Sequence, residues 1–214
     1  EMLSTNEWKR PIYFAVTIGS DYHLGLDPYL ELTGLAYRIT PERSKDGKPR
    51  VNTEVMYDNM LHKFKYGNMN IPGIYIDENT MRMCRTHRMM FLELIEALYQ
   101  EGKYDKCLEV LDFAETVLPG YNVSYDYTSA AMAAYYYQLT EVDKANAIMT
   151  KVADMCVEYL DWGAALAKEQ RASSQSTLHH YAQVLGYVLQ NFERYHQTDL
   201  FDHYYDIYAE YAMR

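Results

Sequence analysis

The chain has no CxxC pair and only three cysteines in 214 residues, Cys84, Cys107 and Cys156. An odd number without paired spacing argues against a disulfide framework and a zinc ribbon. No run approaches the ~20 consecutive apolar residues that cross a bilayer as a helix. No leader-like segment is present, and a sequence opening on Glu1 is expected to be a piece of a longer polypeptide. Positive charge is also short. Lys and Arg number 20 against 30 Asp and Glu, giving a formal charge of -10 and a pI of about 5.1. An acidic surface of this kind argues against nucleic acid and against anionic lipid headgroups as partners.

What the chain has in excess is tyrosine, at 23 residues. It also has one well-written pattern, Met90 to Pro119, reading MFLELIEALYQEGKYDKCLEVLDFAETVLP. Phe91, Leu94, Ile95 and Leu98 recur every three or four residues and so share one helix face. Gly102 follows as a helix stop, because glycine enters the left-handed region cheaply. Tyr104, Cys107, Leu108, Leu111, Ala114 and Leu118 then set a second stripe, which Pro119 closes. Two helices joined by a tight turn are predicted. The pattern resembles a tetratricopeptide repeat, with Phe91, Leu94, Ala97, Tyr99, Gly102, Tyr104, Cys107, Ala114 and Pro119 at positions that fit. Thr140 to Ala145 repeats the Gly102 to Cys107 segment 38 residues later. Val142, Ala145, Met149, Val152, Cys156 and Tyr159 continue as a buried stripe in a helix reaching about Glu169. Residues 171–177 read as a linker. A third pair takes Leu178, Tyr181, Leu185, Val188, Phe192 and Tyr195, a break at Gln197-Thr198, then Leu200, Tyr204, Ile207 and Tyr211.

The first 80 residues differ in texture. Ile12 to Ile18 reads as a buried strand and Gly34 to Thr40 as a second, with a short helical turn at residues 28–32 between them. Residues 42–50 read as loop. A helix is predicted over about 53–65, capped by Asn52 or Thr53, and a short extended piece at Ile74 to Ile76. A long helix then runs from about Met81 to Tyr99, capped by Asn79 or Thr80. The predicted architecture is mainly α. A small mixed α/β segment at 1–80 is packed on a domain at 81–214 of about three tetratricopeptide-like hairpins, stacked as a short solenoid.

Four blocks of this first part, residues 6–14, 34–38, 56–60 and 77–82, resemble the C-terminal region of a bacterial multi-pass membrane family known as domain of unknown function twenty-seven twenty-three. The membrane half of that family is similar to protein O-mannosyltransferases. The resemblance implies an integral membrane parent, a periplasmic position for this piece, and glycosyl-transfer chemistry, if any, in the other half. It carries no catalytic residue onto these positions.

The residues themselves offer no catalytic set. His196, Asp199 and His203 have metal-like spacing, but the break at 197–198 separates the first from the others. His179 and His180 are adjacent, so on a helix they point apart. Glu93, Glu96, Glu101 and Glu109 have the spacing of a solvated helix face rather than of a glycosidase pair. Asn122-Val123-Ser124 matches a glycosylation sequon and marks a loop. Tyr121, Tyr125, Tyr135, Tyr136, Tyr137 and Trp162 are the candidate ligand-binding residues, since aromatic faces stack on sugars and peptides. The competing reading is that they fill space between helices. The sequence thus predicts a non-enzymatic interaction module with no cofactor and no metal. Its partner is a peptide, a protein or the membrane half of the same polypeptide. The alternative is a carbohydrate-recognition or acceptor-positioning domain.

Overall fold

The computed structural model describes residues 2–212, and the chain gathers into two compact units, Glu1–Val123 and Ser124–Arg214. The sequence reading placed a domain line at residue 80; the first compact unit runs on through the first helical hairpin to Val123.

The N-terminal unit holds α1 (Met2–Asn6), β1 (Tyr13–Ala15), β2 (Leu30–Leu32), β3 (Ala36–Ile39), β4 (Arg50–Val51), α2 (Thr53–Asp58), α3 (Glu78–Gln100) and α4 (Tyr104–Val117). The sheet order is β1-β3-β2-β4, antiparallel except for β2 beside β4. Tyr13, Arg38, Glu31 and Arg50 align across it in one row. The predicted buried strand at 12–18 is corrected: only residues 13–15 are strand, and they form an edge with Tyr13 and Ala15 exposed. The helical turn expected at 28–32 is corrected as well. A single 3-10 turn at Asp27–Tyr29 leads into β2, an inner strand whose Leu30 and Leu32 are fully buried. Three residues of Leu-Glu-Leu carry too little periodicity to declare a strand; pairing on both sides decides it. β4 begins at Arg50, the last residue of the stretch that reads as loop, and Ile74 to Ile76 forms no strand.

Helix starts follow side-chain chemistry. The Asn52 carboxamide accepts from Val55 N–H, which opens α2, and α2 continues into one wide turn at Asn59–Lys63. Asp77, not Asn79 or Thr80, caps α3, with Oδ1 accepting from both their backbone N–H groups. Phe91, Leu94, Ile95 and Leu98 on α3 meet Cys107, Val110, Leu111 and Ala114 on α4, all buried. Each large apolar side chain so enclosed contributes about 1.5–3 kcal/mol.

The C-terminal unit holds α5 (Tyr127–Gln138), α6 (Val142–Ala165), α7 (Lys168–Ser173), α8 (Gln175–Arg194) and α9 (Thr198–Ala212). Asp126 and Ser129 form a capping box at the start of α5. α6 packs against both α5 and α8, and α8 against α9. The linker expected at 171–177 is corrected. It is helical, covering the end of α7 and the start of α8 with only Ser174 between them. RASSQST is polar but contains neither glycine nor proline, so nothing in it interrupts a helix.

The three hairpins share one turn. α3 and α4, α5 and α6, and α8 and α9 are each joined by three residues, and the middle one has positive φ: Gly102 (71°), Thr140 (66°) and His196 (57°). The next N–H reaches back to the fifth preceding carbonyl every time: Lys103 to Leu98 O, Glu141 to Tyr136 O, Gln197 to Phe192 O, at 2.8–2.9 Å. The middle N–H bonds the third preceding carbonyl: Gly102 to Tyr99 O, Thr140 to Tyr137 O, His196 to Glu193 O, at 3.0–3.1 Å. This pair of bonds is the Schellman motif, and it satisfies the carbonyls that a helix end leaves open.

Candidate functional site

The tyrosine surplus is largely structural. Tyr66 donates to Met60 O at 2.8 Å and Tyr121 to Asn70 O at 2.6 Å in the N-terminal unit. Tyr57 donates to the Glu109 carboxylate in the same unit, which with burial pushes the phenol up to about 12. In the C-terminal unit Tyr137 donates to Asn146, whose amide donates to Gln197 at 2.8 Å, tying α5 and α6 to the last turn. Tyr204 and Tyr211 on α9 donate to Asp154 and Asp161 on α6, at 2.5 and 2.6 Å. Tyrosine suits this work because it brings a large apolar ring and one polar tip.

Among the six candidate residues, Tyr136 and Tyr137 are enclosed in the helix packing, 2% and 3% exposed. Tyr137 also stacks on Tyr195 with ring centres 4.5 Å apart. Rings enclosed in this way present no face to a ligand. Tyr125 and Tyr135 are half-buried, with Lys151 set 5.6 Å over the Tyr125 ring. Tyr121 is exposed, but its unit is the N-terminal one. Trp162 on α6 stands 47% exposed, and Tyr159, one turn earlier, lies flat on Tyr181 at 3.9 Å and 9°. Within the C-terminal unit the group is thus split between enclosed rings, Tyr136 and Tyr137, and the exposed Trp162.

A cavity of about 600 Å³ opens in the C-terminal unit where α6, α7, α8 and α9 meet. Leu160, Ala164, Leu178 and Ala182 supply its apolar floor, and Lys168 and Arg171 on α7 its charge. Arg171 is built in: Nε donates to Gly163 O at 3.1 Å and Nη2 to Ala164 O at 2.5 Å, capping the end of α6. Such carbonyls welcome a cation because they carry the negative end of the helix dipole. Gly163 leaves room for Leu178, since a Cβ there would lie 2.2 Å from Leu178 Cδ2 and push that side chain aside. The sequence reading missed this cavity. The helix expected to reach about Glu169 ends at Ala165, and residues 171–173 of the expected linker belong to α7, which closes one side of the cavity.

The N-terminal unit contains a buried histidine that the sequence reading also missed. His23 is 4% exposed, held between Phe14 and Tyr37, with Nδ1 2.8 Å from Asp27 Oδ1. The carboxylate fixes the ring orientation, as second partners of histidine commonly do. Arg88, 1% exposed on α3, donates to Leu118 O and Val123 O at 3.3 and 2.8 Å and fastens the chain after α4. All three thiols are buried, and burial pushes Cys107 and Cys156 up to about 12, which leaves both inert as nucleophiles. Among the described residues no cluster of His, Cys, Asp or Glu is placed to hold a metal ion. No described helix is long and apolar enough to cross a membrane.

No curated protein and no solved structure matches this chain. A family model does match the first part: residues 1–58, which include the four-stranded sheet and α2, are similar to TMEM260-associated domain 2, a domain tied by that description to a membrane protein.

Proposed function

We propose that this chain is a non-catalytic interaction module of a membrane protein, and that its helical hairpins receive a peptide or protein partner. The observation that carries the reading is the set of large aromatics left outside a filled core. Tyr127, Tyr159, Trp162 and Tyr205 in the C-terminal unit are each 40–48% exposed. Half-exposed tyrosine and tryptophan are the residue types that anchor protein interfaces, because they bring large rigid contact area at low entropic cost. The hairpins share one turn geometry, and helical-hairpin repeats bind through surfaces assembled from successive helices. The resemblance of the first 80 residues supports a multi-pass parent related to protein O-mannosyltransferases, with this piece at the periplasmic face and any transfer chemistry in the membrane half. The test is crosslinking in the intact parent, with a photoreactive residue at position 162. A partner or the membrane half captured there, and lost in Tyr159→Ala, is the expected result. Labelling with no protein adduct sinks the proposal.

A carbohydrate-recognition or acceptor-positioning role is the second reading. It is favoured by the flat Tyr159–Tyr181 stack with Trp162 one turn away, a surface of the kind on which sugar rings lie. Glycan-array binding that disappears in Trp162→Ala supports it. No binding at millimolar glycan counts against it. Tyr136→Ala is no test of this role, since the ring is enclosed in the packing.

A further inference from the structure

The cavity between α6, α7, α8 and α9 has a chemistry of its own, independent of the exposed aromatics. We propose that it binds a single-chain amphiphile with an anionic head, a carboxylate or phosphate at Lys168 and Arg171 with an alkyl body on the floor.

Size is the first argument. About 600 Å³ lies inside the range of small-ligand sites. The floor of Leu160, Ala164, Leu178 and Ala182 is aliphatic, so it rewards an alkyl body by about 0.8 kcal/mol per methylene enclosed. Charge is the second. The chain carries -10 overall, yet no carboxylate is among the residues that line this cavity. Lys168 forms no hydrogen bond or ion pair with any described residue. Arg171 spends Nε and one Nη2 proton on the two last-turn carbonyls of α6 and keeps its remaining N–H groups. That arrangement does two things. It fixes the guanidinium at the cavity edge, and it quenches the partial negative charge of the helix end that would repel an anion. A cationic amphiphile meets repulsion here. A neutral one gains nothing from the two cations.

The test uses the whole chain and octyl phosphate in its monomeric range, followed by titration calorimetry and NMR shifts. Expected is saturable one-to-one binding tighter than ~1 mM, with shifts at Ala164, Leu178 and Ala182. Octanol, octylammonium and inorganic phosphate should each bind at least about tenfold more weakly. Lys168→Glu, at an exposed position that does not threaten folding, should weaken octyl phosphate by about tenfold or more. Ala182→Leu, which fills the floor, should abolish uptake while the circular dichroism spectrum stays unchanged. Octanol binding as tightly as octyl phosphate would overturn the proposal. So would an unaffected Lys168→Glu, shifts elsewhere on the chain, or binding only to phosphatidylglycerol vesicles with none to the monomer.

Discussion

Replacing Thr140 by glycine should make the C-terminal unit more stable. Thr140 sits at φ 66° in the middle of the turn between α5 and α6, where its counterpart in the first hairpin is Gly102 at 71°. A side chain in the left-handed region costs about 1–2 kcal/mol, and a β-branched one is poorly suited to it. Glycine removes that cost but adds freedom to the unfolded chain, worth about 0.4–1 kcal/mol in the other direction. The threonine hydroxyl bonds only the preceding carbonyl, Leu139 O at 2.6 Å, in an exposed position where water replaces it. The net gain is about 0.5–1 kcal/mol, or about 2–8 °C in the melting of a unit of this size. Gly102→Ala is the mirror experiment. An added Cβ there meets nothing within 4 Å, so only the backbone conformation is at stake, and a loss of about 0.5–1 kcal/mol is expected. Urea unfolding followed by far-ultraviolet circular dichroism reads both, with an unchanged m-value required. A destabilised Thr140→Gly, or a neutral Gly102→Ala, would refute the equivalence of the turns.

Three further outcomes follow from side chains placed by the fold. Arg88→Met should cost about 2–4 kcal/mol in denaturant unfolding, because Leu118 O and Val123 O lose their buried donor. Gly163→Ala should cost about 1–2 kcal/mol, since the new methyl lands on Leu178; displacing that leucine should also shrink the cavity, read as weaker octyl phosphate uptake. Lys103 and Lys106 both donate to the Glu54 carboxylate, at 2.6 and 2.8 Å, and hold it down to about 2 from an ordinary 4.5. A folded-state value below the unfolded one adds stability above about pH 4.5 that is lost as pH falls toward 2. Glu54→Gln should therefore flatten the acid limb of the stability profile; an unchanged limb refutes the assignment.

The first hairpin was legible residue by residue. Its apolar stripes recur at helical spacing, Gly102 supplies the positive φ and Pro119 the stop. Thr140 was legible only through its neighbours, because Glu141 to Ala145 repeat the pattern after Gly102. At His196 the same conformation carried no signal; the break was read one residue late, at Gln197-Thr198. The candidate aromatics were legible as residues, but not which of them the fold encloses. Three consecutive helical tyrosines point in three directions, and which of them is enclosed is decided by packing on α6 and, for Tyr137, by Tyr195 at the end of α8. Arg88 and His23 were invisible for a related reason, since a polar residue on an apolar face reads as noise until its carbonyl or carboxylate partner is in place.

The sequence by itself determined the mainly helical class, the turn at Gly102 and the acidic balance of charge. These depend on spacing, on glycine and proline, and on charge, all of which are local or additive. Tertiary structure decided that Leu30 to Leu32 is an inner strand, that Lys168 to Ser173 is a helix, and that Lys168 and Arg171 stand over an aliphatic floor from other helices. The strand and the cavity floor depend on partners outside the segment itself, and pairing and enclosure leave no mark on a short segment read alone; α7 is a local helix whose packing on α6 and α8 the sequence does not show.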